Sequence, residues 1–320
     1  DIFLLHNSSG KLNGVKESIF MENIKDYSGR WRWNMVNDFR PQSIEYSGIK
    51  CYPTANYVNY YGMQNGYPIN DMTKADAESG YDPTHPWKNR DPRFYKTIMF
   101  DGVKWKSTGG AGGTAELFTG GRESEEANEK KGCFTAYMNS KLCPQLMNTV
   151  DGYKENNIMI LSLMRLADVY LMYAEATAVG YNGPKSKAAT YSLTAEEALN
   201  KIRERAGVAP VLDKFLGSTA DFLSELRRER AVELSFEGFR FIDLRRWMLL
   251  TQYPYTLKTK IEFDRADPSD YNYDEPEENA IKNLREVVLL ERKYTDRHYW
   301  YPLPKKDVSM YEGFYQNPGW

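Results

Sequence analysis

RRERAVELSFEGFRFIDLRRW, residues 227–247, decides the fold class. Glu229 and Glu233 stand one helical turn apart, Leu226, Val232, Leu234 and Phe236 interleave with the charges, and Gly238 divides the stretch in two. Upstream, Ser218 or Thr219 is an N-cap for a helix running through Phe222 and Leu226 to Phe236. Downstream of Gly238, Phe239, Ile242, Arg246 and Trp247 recur at helical spacing. Two earlier segments behave alike. Thr194 and Glu197 have capping-box spacing ahead of Ala198, Leu199, Ile202 and Ala206, and Gly207 stops that helix. Arg165 to Val179 sets Leu166, Tyr170, Tyr173 and Ala174 on one stripe, with Gly180 next. Four helices on short or moderate connections predict antiparallel αα-hairpins, each needing a neighbour over its apolar stripe. Stacking of the tetratricopeptide kind is one solution, although that repeat's signature is not legible.

Before about residue 158 the pattern is different. Gly, Asn, Asp and Pro interrupt residues 1–157 every few positions, so this half reads as loops with short strands, at Glu17 to Ile24 and Phe94 to Phe100. Residues 107–122, STGGAGGTAELFTGGR, lack the GK[ST] ending of a phosphate loop and read as a mobile surface loop. Residues 158–320 are the helical-hairpin portion. It ends in a tail where Pro302, Pro304 and Pro318 forbid a continuous helix, so the tail must wrap.

Composition excludes several function classes. The 320 residues are 41% hydrophobic and 27% charged, enough for a sizeable core and against disorder as the main state. With 42 Lys+Arg against 44 Asp+Glu and no long run of one sign, nucleic acid is not the main partner. No apolar stretch approaches the length of a membrane span. Cys51, Cys133 and Cys143 form no CxxC pair, and His6, His85 and His298 have no HExxH spacing, which argues against a zinc site or a histidine triad.

Aromatic residues are the positive signal. Eight of the 24 tyrosines lie between residues 46 and 95, where an even spread puts about four. In YPTANYVNYYGMQNGYPIN they alternate with Asn, Gly and Gln and have few aliphatic partners. Such a surface suits a neutral polyhydroxylated ligand, with rings stacking on sugar faces and amides taking hydroxyls; ordinary packing is the competing account. The carboxylates around Glu229 and Glu233 read as acid and base or, more strongly, as acceptors of forks from Arg240 or Arg246, which lowers their pKa values. Arg90, Asp91 and Arg93 around Pro92 read as a turn. The acidic loop Asp264, Asp267, Asp270, Asp274 and Glu275 lacks EF-hand spacing.

Several segments together resemble one family, the SusD/RagB nutrient-binding outer-membrane lipoproteins. They are DPRFYKTIMFDG at 91–102, RLADVYLMYAEA at 165–176, ALNKIRERAGV at 198–208, the 227–247 stretch, YPLPKKDV at 301–308 and QNPGW at 316–320, in the family's order. The resemblance implies a mainly α fold, a tetratricopeptide-like α/α superhelix packed against an irregular, loop-rich half with short strands. It implies a binding protein and not an enzyme, without a cofactor, held at the cell surface on the outer membrane by a lipidated N-terminal cysteine. Such a protein captures an oligosaccharide or polysaccharide and delivers it to a SusC-like TonB-dependent transporter. The family builds its ligand face from loop aromatics. That makes Trp87, Tyr81, Tyr67, Tyr61 and Tyr57 candidate stacking platforms, with Asn65, Asn70 and Arg90 for hydroxyl contacts. Family members are longer, so the resemblance places a further N-terminal part ahead of residue 1 or on a separate chain. The rival from another class is a protein-interaction module that holds a peptide or partner subunit. A glycosidase would need two facing carboxylates, one with a raised pKa.

Overall fold

The computed structural model describes residues 15–24, 52–105, 113–126, 132–141 and 159–320. Among them the order is β1 (Ser18–Ile24), α1 (Ala55–Val58), α2 (Pro92–Thr97), β2 (Ile98–Met99), β3 (Met138–Asn139), β4 (Met159–Arg165), α3 (Leu166–Gly180), α4 (Ala195–Ala206), α5 (Thr219–Glu233), α6 (Phe239–Arg246), β5 (Leu257–Arg265), β6 (Ile281–Glu291) and α7 (Lys305–Val308). The strands pair antiparallel as β1–β4, β2–β3 and β5–β6.

The helices form where their end signals stand. Thr194 Oγ1 accepts from Glu197 N at 3.2 Å and the Glu197 carboxylate accepts from Thr194 N at 2.7 Å, closing the capping box of α4. Gly207 ends it at φ 74°, a conformation that a residue with a Cβ adopts only at a cost. Ser218 Oγ caps α5 by accepting from Asp221 N at 3.1 Å. In α3 the buried stripe is turned from the expected one: Ala167, Leu171, Ala174 and Ala178 face inward, while Leu166 is 39% exposed and Tyr170 and Tyr173 are half-buried. Small residues on that face let α3 lie against α4 and α5 around Leu199, Phe222 and Leu226.

Three segments differ from expectation. Phe94 to Phe100 is mostly helix, because Asp91 caps α2 by accepting from Arg93 N at 2.9 Å and Pro92 occupies the first turn, where its missing N–H costs nothing. Only Ile98–Met99 is strand. The helical-hairpin portion also contains the long β5–β6 hairpin, with Thr259, Ile261, Phe263 and Arg265 buried and Lys258, Lys260 and Glu262 on the other face. Of the glycine-rich stretch, residues 107–112 lie outside the described residues, and Ala115 and Leu117 beyond them are core, not surface loop. The largest core draws on both sides of residue 157: Tyr61, Trp87, Phe94 and Phe100 pack with Val232, Ile261, Phe263 and Ile281.

A ladder of carboxylates holds the hairpins to the loop-rich half. Glu225, Glu229, Glu233 and Glu237 recur every fourth residue along and just beyond α5. Arg203 donates to Glu225 and, at 3.0 Å, to Glu229; Arg93 donates to Glu229 and, at 3.0 Å, to Glu233. Arg165 reaches Glu233 at 2.5 Å and Glu237 at 2.7 Å, and Lys141 reaches Glu237 at 2.7 Å. Ion pairing is therefore the role of these acids, but Arg240 and Arg246 are not the partners. Arg246 faces Glu175 and Asp243, and Arg240 lies on Tyr60. Burial pushes the Glu229 carboxyl up, and the guanidiniums of Arg93 and Arg203 overcome it and hold it at about 2. Glu233 is held well below the carboxylate range for the same reason.

Candidate functional site

The tyrosine- and amide-rich segment folds into a tight turn at residues 62–67. Met63 N donates to Tyr67 O at 2.8 Å and Gly66, at φ 89°, returns its N–H to Met63 O at 2.9 Å. A Cβ on Gly62 would collide with the Tyr67 carbonyl and the Arg228 guanidinium, so the approach needs glycine. Arg228 ties the turn to α5 by donating to Tyr60 O at 3.1 Å and Gly66 O at 3.0 Å. A second segment closes the other side. Gln64 N donates to Asn89 O at 2.9 Å, Met63 bridges Arg90, and Asn65 Nδ2 donates to Ser79 O at 3.0 Å.

Between them lies a recess of about 420 Å³ lined by Met63, Gln64, Asn65, Ser79, Gly80 and Asn89. That volume is within the range of small-ligand sites. Three of these residues carry amide side chains, and Gln64, Asn65, Gly80 and Asn89 are exposed. Asn65 is committed to the turn, since its Oδ1 accepts from Tyr67 N at 3.2 Å. Among the described residues the Asn89 side chain has no hydrogen-bond partner within the chain, and its φ of 53° sets it on a corner that asparagine tolerates. Neutral donors and acceptors of this kind suit hydroxyl recognition. Among the described residues no group of His, Cys, Asp and Glu is placed to hold a metal ion.

The expected site residues separate into two sets. Trp87, Tyr81, Tyr61 and Arg90 are buried, which corrects their role from ligand contact to core. Trp87 is 0% exposed, stacks on Phe100 at 5.0 Å and gives its Nε1 proton to Tyr137 OH at 3.3 Å. Tyr81 OH donates to Met72 O at 2.8 Å and Tyr61 OH to Ser235 Oγ at 2.7 Å. Arg90 spends its fork on the carbonyls of Tyr61 at 2.7 Å, Pro86 at 2.8 Å and Val58 at 3.1 Å. Loops without regular structure leave carbonyls that only such donors can satisfy. Tyr57 is half-buried and its hydroxyl donates to Ala231 O at 2.5 Å. In the second set Asn65 and Asn70 are exposed and Tyr67 is half-buried. Asn65 lines the recess, Tyr67 closes its turn with Lys214 Nζ 4.4 Å from the ring, and Asn70 is exposed outside the recess. Gln64, Ser79 and Asn89 are the residues that sequence reasoning missed. The Q-N-G run at 64–66 is the signal for the first, and nothing local marks the others, which long-range pairing brings in.

The model of the SusD family matches residues 16–320. In structure the chain is similar to a SusD-like protein from Bacteroides fragilis, with TM-score 0.68, 22% identity and coverage of 98% of this chain and 56% of that one. It is also similar to a SusD-like carbohydrate binding protein from Bacteroides fragilis (TM-score 0.61, 19% identity, 97% and 56% covered). A SusD superfamily protein from Parabacteroides distasonis gives TM-score 0.50 and 18% identity, with 100% and 53% covered. A search of curated proteins finds no match. The chain thus spans just over half the length of these structures. A family match running through the hairpins, the carboxylate ladder and the tail makes this chain a member of the SusD family.

Proposed function

We propose that this chain is the binding portion of a cell-surface glycan-capture protein. It holds an oligosaccharide or polysaccharide at the recess between Gln64, Asn65 and Asn89, with Tyr67 beside it, and passes it to a SusC-like TonB-dependent transporter. Catalysis is no part of this role, and a lipid anchor on a further N-terminal part holds the protein at the outer membrane. The helices α3 to α6 belong to a tetratricopeptide-like superhelix completed by the rest of the longer protein. The observation that carries the reading is the amide-lined recess in a chain of this family. Buried carboxylates consumed by arginines support the absence of catalysis, since a glycosidase acid needs a raised pKa.

Calorimetric titration of the full chain with a glycan panel tests this. The expected result is binding that Asn89→Ala and Gln64→Ala together weaken by about ten-fold, roughly 1.4 kcal/mol. A cognate glycan bound equally by parent and variant moves the site elsewhere; no glycan bound at all ends the reading. The protein-interaction alternative has one observation in its favour. Trp300, Tyr301, Tyr311 and Tyr315 in the tail are 58%, 63%, 67% and 82% exposed, and such rings suit a partner subunit.

A further inference from the structure

On the outer face of the β5–β6 hairpin, Lys258 stands apart from its neighbours. Lys260 pairs with Glu262 at 2.8 Å and Glu125 at 3.4 Å, but Lys258 has no ion pair among the described residues. Its surroundings are cationic instead. Arg292 N donates to Thr256 O at 2.9 Å, and Lys258 pairs in register with Leu290. Residues 256 and 258 share one face with 290 and 292, so the Arg292 and Lys258 side chains are diagonal neighbours. Arg240 approaches from α6: its guanidinium carbon lies 4.8 Å from the Tyr60 ring centroid and 5.6 Å from that of Tyr255, three residues before Lys258.

Both guanidiniums are held by phenols, which fix position without cancelling charge. Arg240 Nη2 donates to Tyr60 OH at 2.8 Å and Arg292 Nη1 to Tyr294 OH at 2.7 Å, leaving further N–H groups of each fork free to bind. Neighbouring acids are engaged elsewhere. Asp243 accepts from Arg230 and Arg246, Glu237 from Arg165 and Lys141, and Glu286 from Thr259. Glu291 lies opposite Leu257, on the other face of the hairpin. Burial first, then Arg292 and Arg240, push the half-buried Lys258 ammonium down to about 8. Three like charges held together without a counter-ion among the described residues cost stability and persist where a ligand supplies the missing charge.

We propose that Lys258, Arg240 and Arg292 form a binding site for the anionic group of an acidic sugar, a uronate carboxylate or a sulfate ester. Planar forks suit either oxyanion, and the ring edges of Tyr60 and Tyr255 border the sugar that carries it. This rests on the glycan-capture reading and adds the charge class of its ligand.

The test titrates the full chain with oligogalacturonate, dextran sulfate and uncharged dextran, in the parent and in Lys258→Met, Arg240→Met and a control, Lys96→Met. A charged probe is expected to bind, with affinity falling about ten-fold in each site variant, unchanged in the control, and weakening as salt rises. Binding of oligogalacturonate alone assigns the carboxylate, and of dextran sulfate alone the sulfate ester. Lys258→Met is expected to unfold at the same temperature as the parent or higher, since it removes an unpaired half-buried charge, so lost affinity in it is not lost fold. Equal affinity of parent and site variants for a charged probe overturns the proposal. If only uncharged glycans of the panel bind, and Asn89→Ala weakens them, the proposal falls while glycan capture stands; if no glycan of either charge binds, both fall.

Discussion

Replacing Glu229 by glutamine keeps the side-chain shape at the centre of the carboxylate ladder and removes its charge. In the parent the carboxyl sits at about 2 in the fold against 4.5 when free. That gap of about 2.5 pH units, at about 1.36 kcal/mol each, is about 3 kcal/mol of stability in full. Because the folded pKa is depressed, the contribution is complete above pH 4.5 and is lost as pH falls toward 2. Between pH 7 and pH 3 Glu229 alone then loses about 2 kcal/mol. Urea unfolding of parent and Glu229→Gln at both pH values measures this. At pH 7 the variant is expected to be less stable by about 3–5 kcal/mol, since Arg203 and Arg93 keep buried charge with one acceptor fewer. On acidification it is expected to lose about 2 kcal/mol less than the parent, while Glu225 and Glu233 still titrate in both. Identical losses in the two proteins would show that Glu229 is not held ionised by its arginines, and the argument for the ladder would fail.

Three other outcomes follow from the core. Trp87→Ala removes a ring packed between Phe100 and Phe263 and is expected to cost about 3–5 kcal/mol in urea unfolding; a folded, equally stable variant would return Trp87 to the candidate ligand face. Arg90→Lys preserves charge but cannot span the Tyr61, Pro86 and Val58 carbonyls, so a loss of about 3 kcal/mol or more is expected in the same assay, and full stability would count against the fork. Burial pushes the Cys133 thiol up to about 11, so iodoacetamide at pH 8 should leave it unmodified in the native chain and label it after unfolding, read by peptide mass; rapid native labelling would contradict its burial.

What sequence could and could not reveal depends on how local each signal is. Thr194, Glu197, Gly207, Ser218 and Gly238 act within one turn of the helix ends they set, and α4, α5 and α6 stand where those residues put them. The α2 segment carried the same kind of signal in Asp91 and Pro92, but Phe94 to Phe100, rich in aromatic and β-branched residues, reads more readily as strand. At 257–265 the alternation Lys258, Thr259, Lys260, Ile261, Glu262, Phe263 is a true period-two pattern. The turn-rich stretch between its strands separates them by 15 residues and obscures the pairing. The site was harder for a different reason. A tyrosine ring serves packing or a ligand, and its neighbours in sequence do not say which. Tyr61 and Tyr81 are buried because Ser235 and Met72 take their hydroxyls, contacts that only the folded chain defines. Gln64 and Asn89 meet because the turn at Gly62 and Gly66 and the bridge from Met63 to Arg90 bring two loops together. Tyr61, Tyr81 and Trp87 thus belong to the core beneath these loops, and the groups left at the recess are the amides of Gln64, Asn65 and Asn89.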